Sequence, residues 1–191
     1  MEQNFQADIL EGQLRENFGR IVYSHKSHEK CADILNSNNS NLKIAKIVLS
    51  GLTTGGLIAI FANDDIIIKV ISALLSTALL IINSYTKDYD LGEIAQKHAS
   101  TAIDLWNIRE KYLSLLTDLK TQRKTIEEIE KFRDEYQEDL FNIYNGAQRT
   151  TYKAYKKAQE ALQNLDDMTF SDDEIDKFLP KELKKNDKDE S

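Results

Sequence analysis

Residues 51–68 read GLTTGGLIAIFANDDIII, inside a chain that is 30% charged and has a mean hydropathy of -0.50. The surrounding charge-poor region runs from Leu42 to Thr86 and is interrupted near its middle by Asn63, Asp64 and Asp65. Ile47 to Asn63 carries no charge, nor does Val70 to Thr86. Each corresponds to roughly 25 Å of helix, and snorkelling by Lys43, Lys46 and Lys69 extends each toward the ~30 Å of a bilayer core. The connection is so short that the two segments must form a tight antiparallel hairpin with both ends on one side. Two environments suit it: a bilayer, or a soluble core in which the rest of the chain wraps helices that are apolar on all faces.

If the hairpin spans, lysines set its orientation. Lys26, Lys30, Lys43 and Lys46 precede the first segment and Lys87 and Lys97 follow the second, whereas the turn side has only Lys69. The positive-inside rule then predicts both termini in the cytoplasm.

The polar residues within the segments follow helical spacing. Lys69, Ser72, Ser76 and Asn83 share one face of the second, and Lys46, Ser50, Thr53 and Thr54 nearly share one of the first. Gly51 and Gly55 form a G-x-x-x-G step on an adjoining face. Such stripes serve close helix contact with hydroxyls bonding across it, or they line a pore. Lys69 lies within a turn of the boundary, where Asp64 or Asp65 is the expected partner.

The flanks read as helices too. With one proline, Pro180, and seven glycines among 191 residues, the composition favours an all-α fold with a single core. Leu91, Ala95, His98, Ala102, Leu105, Arg109, Tyr112, Leu116 and Leu119 step by four and three, a heptad seam widened by Ile94, Ile103, Trp106 and Leu115. No strong breaker separates Ile66 from Leu119, so one helix of roughly 80 Å is predicted, with Gly92 as its weak point. A second run follows from Ile126 through Phe132, Tyr136, Leu140 and Ile143 to Ala154, Ala158 and Ala161, and is expected to pair antiparallel with the first.

Upstream, a weaker pattern from Phe5 to Leu35 ends in NSNNSN, Asn36 to Asn41, which predicts a hinge at the membrane surface. Ser171 and Glu174 read as a capping box for a short helix stopped by Pro180, with a disordered acidic end from Lys181. The expected organisation is therefore an N-terminal helix and hinge (1–41), a transmembrane hairpin (42–86, helices 42–62 and 66–86), a cytoplasmic helical pair (87–165) and an acidic tail (166–191).

Charge and chemistry narrow the function. The net charge is -7, and five of those charges fall after residue 165, so direct nucleic-acid binding has no electrostatic footprint beyond a local patch at Lys153, Lys156 and Lys157. Cys31 is the only cysteine, which fits a reducing compartment. The acidic N-terminus is unlike a secretory signal, and export by that route is not expected. His25, His28 and Cys31 are spaced three apart, but i and i+6 point to different helix faces, so they read as surface residues rather than metal ligands. His98 reads as a hydrogen-bonded core residue. No phosphate-loop or nucleophile-elbow motif occurs, and neither an enzyme activity nor a cofactor is expected.

At LWNIREKYLSLLTDLK, Leu105 to Lys120, the chain resembles the SLATT family, the SMODS- and SLOG-associating two-transmembrane effectors. The matching positions are Trp106, Arg109, Glu110, Tyr112, Leu115, Leu116 and Asp118, after a two-helix hairpin and an upstream helix bearing Tyr23 and His28. The resemblance implies a prokaryotic inner-membrane effector that oligomerises into a pore in antiviral defence of the abortive-infection type. It also implies a partner sensor, a nucleotide synthase or a reverse transcriptase, acting in trans because no sensor is fused within these residues. Membrane lipid and further copies of the chain complete the expected partners. The residues leave two other readings open: a non-conducting membrane scaffold that recruits an enzyme, and a soluble helical pore-former that inserts on activation.

Overall fold

The computed structural model describes residues 2–62, 65–165 and 167–185, and among these the chain is helical with no strand. In order, the helices are α1 (Glu2–Ala62), α2 (Ile66–Asp88), α3 (Leu91–Lys120), α4 (Ile126–Gly146), α5 (Tyr152–Asn164) and α6 (Asp172–Phe178), followed by a 3-10 turn at Lys181–Leu183.

The first correction concerns α1. It is one helix of 61 residues, roughly 90 Å long, and it passes through Asn36–Asn41 without the predicted hinge. Asn and Ser are poor helix formers, but they lack the backbone freedom of Gly and the missing N–H of Pro, so packing on either side carries the helix through them. Asn39 is held against α3, close to where a side chain on Gly92 would sit.

The break falls instead on the other strand of the hairpin. Tyr89 is extended, and Asp90 caps α3 by accepting from the Glu93 amide at 2.9 Å, so α2 and α3 are two helices rather than the predicted continuous one. A strong N-cap residue decided the joint. Gly92 is not the breaking point: it sits in the first turn of α3 and permits the close approach of Asn39.

The core lies where α1, α3 and α4 meet. Leu10, Leu14 and Ile21 of α1, Leu105, Ile108, Tyr112 and Leu115 of α3 and Ile129 of α4 form it, and Phe132, Tyr136, Leu140 and Ile143 close its α4 side. The heptad seam is confirmed, since Ala95, His98, Ala102, Leu105 and Tyr112 are all buried. Its widening differs from expectation. Leu115 is buried as predicted and Thr101 and Ile108 extend the stripe beside it, while Ile103 and Trp106 face outward.

α3 pairs chiefly with α1, and the predicted second run breaks after Gly146: α4 joins α3 as its antiparallel partner across a turn of five residues, whereas α5 packs on α1 instead. Lys111 of α3 bonds Asp139 of α4 at 2.9 Å and lies over the Tyr136 ring, and a full capping box of Thr125 and Glu128 starts α4. The small residues Ala154, Ala158 and Ala161 bring α5 onto α1, where Tyr155 stacks on Tyr23 and Gln163 donates to the Tyr23 hydroxyl at 2.7 Å.

The tail is more ordered than expected up to Lys185. The Ser171–Glu174 capping box forms, and the Lys185 amide donates to Asp176 while its ammonium pairs with Asp172 at 3.0 Å. The rest of the expected disordered end, residues 186–191, lies outside the described residues.

Candidate functional site

The candidate site is the hairpin formed by the last third of α1 and by α2. Asp65 caps α2 by accepting from the Ile67 amide at 2.8 Å, and Lys87 in the last turn complements the other end of the helix dipole. Asn63 and Asp64 lie outside the described residues, and with them the predicted pairing of Lys69 with Asp64.

The decisive feature is what fails to cover these helices. α2 packs on α1, and apart from marginal contacts on nothing else. The most apolar eighteen-residue window of α1 has no buried residue, and that of the second helical segment is 6% buried. Ile47 is 73% exposed, Phe61 92% and Leu80 66%, with Ile58, Ile67 and Leu74 alike facing outward. An exposed apolar surface of this length is incompatible with water at the roughly 25 cal/mol that each Å² costs. The flanking helices do not wrap it, which disposes of the soluble-core reading for this conformation. Two helices of this kind fit a membrane-embedded hairpin.

Three threonines along the hairpin bond back to their own helices. Thr54 donates to the Ser50 carbonyl at 2.9 Å, Thr77 to the Ala73 carbonyl at 2.9 Å and Thr86 to the Ile82 carbonyl at 3.0 Å. These bonds one turn back satisfy each hydroxyl within its own helix. At the base, Lys46 of α1 donates to the Thr86 hydroxyl of α2, and the Tyr85 and Tyr89 rings stack 5.2 Å apart at the level where amphipathic aromatics meet an interface.

The structure divides the predicted polar stripes. Ser72 is buried against α1, and Thr53 is half-buried, its hydroxyl oxygen inaccessible and without a partner. Lys69 is half-buried. Ser50, Thr54, Ser76 and Asn83 are exposed on the outside of the hairpin. The glycines divide as well. A Cβ on Gly51 or Gly55 would meet nothing within 4 Å, whereas one on Gly56 would lie 2.4 Å from the Ser72 hydroxyl oxygen. Within one chain the close approach therefore uses Gly56 and Ser72, not the G-x-x-x-G pair. The sequence signal for Gly56 was its place beside that motif, on the face that continues from Thr53 and Leu49.

The region below the hairpin is built around imidazoles. His25, His28 and Cys31 are buried, correcting their assignment to the helix surface. The His25 ring nitrogen Nδ1 lies 2.8 Å from the Ala102 carbonyl oxygen, to which it donates. His28 and His98 face each other with Nδ1 atoms 3.0 Å apart, so one ring donates to the other and a single proton lies between them. Burial and the neighbouring His98 and His25 push the His28 pKa down to about 4, and burial lowers that of His98. Among the described residues, no three His, Cys, Asp or Glu side chains converge as metal ligands.

Lys26 is also buried, and it bridges Glu29 at 2.8 Å and Asp167 at 2.7 Å. Desolvation lowers its pKa, but the bonds to Asp167 and Glu29 outweigh it and the net shift is upward. Asp167 is correspondingly held below the usual carboxylate range, chiefly by its bond to Lys26.

The motif from Leu105 to Lys120 follows from these contacts. Tyr112 is fully buried and its hydroxyl accepts from Asn17 at 3.4 Å; Arg109 pairs with Glu110 at 2.6 Å and approaches the Met168 sulfur; Asp118 pairs with Lys124 across the α3–α4 turn. Trp106 is half exposed. The model of SMODS and SLOG-associating 2TM effector domain family 4 matches residues 10–174, nearly the whole of α1 through α6. The chain belongs to the SLATT family. No curated protein and no solved structure matches this SLATT chain. The family description names a two-transmembrane effector domain associated with SMODS and SLOG, which agrees with the hairpin.

Proposed function

We propose that this SLATT protein is the membrane effector of a prokaryotic antiviral defence system, of the abortive-infection type, and that it acts by assembling several copies into a pore. The observation that carries the reading is the uncovered apolar hairpin, two helices long enough to span and packed on little but each other. Two helices cannot enclose a conduit, so conduction requires further copies. Ser50, Thr54, Ser76 and Asn83 lie outside the single hairpin, where a neighbouring copy would meet them or water would pass them. Gly51 and Gly55 present an open small-residue face to the same neighbour. The inner membrane is the proposed location, with both termini cytoplasmic, supported by the excess of lysines on the side of α1 and α3. The trigger is a partner sensor or signal-producing protein, a nucleotide synthase or a reverse transcriptase, consistent with the association in the family description.

The test is dye or ion leakage from liposomes and depolarisation of expressing cells, comparing wild type with Ser76→Leu and Asn83→Leu. Ser72→Leu is a poor probe, because Ser72 packs on Gly56 and its loss disturbs the hairpin itself. Leakage abolished by the outward-facing substitutions, with membrane insertion intact, supports the pore. A wild-type protein that leaves membranes tight whether or not its genomic neighbours are co-expressed refutes it.

A further inference from the structure

Where α5 lies on α1, the two helices enclose a groove of about 520 Å³ that neither the hairpin nor the core uses. Lys30 borders it from α1, and Lys153 and Lys157 border it from α5. Two of these belong to the basic patch evident in the sequence. The third comes from more than a hundred residues away and is supplied only by the fold. Asp33 and Glu160 share the rim, so the three ammonium groups leave one positive charge in excess.

Those carboxylates do little to neutralise the lysines. Lys30 reaches Asp33 only at 3.9 Å and feels Asp167, which is already bridged to Lys26, while Lys153 and Lys157 form no salt bridge among the described residues. Lys156 differs: it lies over the Tyr152 ring, 5.2 Å from its centre, and stays out of the groove. Three like charges gathered along a concave surface repel one another and concentrate anions. Lysine serves phosphate as a compact point charge, and the volume is within the range of small-ligand sites. The lining is not all charged. Ile34 and Leu165 provide an apolar patch, and Ser37 and Asn38 add neutral hydrogen-bonding groups toward the membrane end.

We propose that the α1–α5 groove binds a phosphate-bearing ligand of nucleotide size, its phosphates held by Lys30, Lys153 and Lys157 and its uncharged part resting on Ile34 and Leu165. Because the lysines come from both helices, occupancy ties α5 to α1. The site is independent of whether the hairpin conducts. A free phosphorylated molecule and a lipid headgroup offer the same chemistry; Asn38 lies about 12 Å along α1 from Lys46, near enough to the surface for either source.

The experiment measures amine-reactive labelling of Lys153, Lys157 and Lys156 in the full-length protein. One arm adds inorganic pyrophosphate or ATP to protein in neutral detergent. The other compares nanodiscs of phosphatidylcholine with nanodiscs containing phosphatidylglycerol. Protection of Lys153 and Lys157 with Lys156 unchanged is expected, and the arm in which it occurs identifies the source. Titration calorimetry with the protecting probe should show affinity weakened by about tenfold or more in Lys153→Gln/Lys157→Gln and in Lys30→Gln, and unchanged in Lys156→Gln. Lys153, Lys156 and Lys157 are exposed and the half-buried Lys30 lies outside the core, and an unchanged melting temperature without probe confirms the fold. No protection in any arm, or equal protection and equal loss at Lys156, overturns the proposal.

Discussion

Acidification should loosen the bundle beneath the hairpin through His28. In the fold this imidazole is held neutral with a pKa of about 4, against about 6.5 for an unfolded histidine. Its folded value is the lower one, so between those limits the opened chain takes up a proton that the closed one refuses. The associated stability is complete above pH ~6.5 and is lost as pH falls toward about 4. At pH 5 the difference is about 2 kcal/mol, and at pH 7.5 it is close to zero. His28 is 3% exposed, so solvent does not screen this effect. Hydrogen exchange of the α1 and α3 amides flanking His28 and His98, in detergent or nanodiscs, should therefore accelerate roughly thirtyfold from opening alone at pH 5, after correction for intrinsic rates. His28→Asn removes the titrating group and should flatten most of this pH dependence, whatever it does to absolute stability. Corrected rates that are equal at pH 7.5 and pH 5 in the wild type, or an unchanged slope in His28→Asn, would refute the reasoning.

Other expectations concern packing and caps. Gly56→Val should weaken the α1–α2 contact by about 1–3 kcal/mol, because its Cβ falls 2.4 Å from the Ser72 oxygen and 3.3 Å from the Ser72 Cβ. Gly55→Val, opening onto empty space, should leave hairpin stability nearly unchanged, and thermal unfolding in detergent distinguishes the two. Thr125→Ala removes one half of the α4 capping box and should cost about 1 kcal/mol, measured by circular dichroism melting. Asp167→Asn should free the turn after α5 from Lys26, read as faster proteolysis between Leu165 and Ser171, while Lys26 keeps Glu29.

The hairpin, the α3 seam and the Ser171–Glu174 capping box were legible because each depends on local pattern: an uncharged run, a step of four and three, a Ser followed three residues on by Glu; the equivalent box of Thr125 and Glu128 went unread. What the sequence did not disclose depends on partners distant along the chain. Asn36–Asn41 looks like a break in isolation and is helical because α3 supports it, with Asn39 over Gly92. Tyr89–Asp90 looks continuous and is a joint because Asp90 captures the Glu93 amide. His25, His28 and Cys31 were assigned to the surface because α1 alone cannot bury them; α3 supplies the Ala102 carbonyl and His98 that do. At the hairpin the polar stripes were visible, but helical spacing cannot say which side of a stripe the partner helix occupies. That is why Ser72 turned out to be an inner residue and Ser76 an outer one.

The unbroken length of α1 has a mechanical consequence. It serves as a stiff lever, held against the bundle from Leu10 as far as Asn39 and running on to an apolar end that only α2 accompanies. About 33 Å separate Asn39 from Phe61, so a tilt of about 10° at the last contact with α3 would swing the far tip by about 6 Å. Its neighbour is jointed at Tyr89–Asp90 and can yield where α1 cannot. Small rearrangements around the histidines or α5 would thereby be amplified at the opposite face of the bilayer.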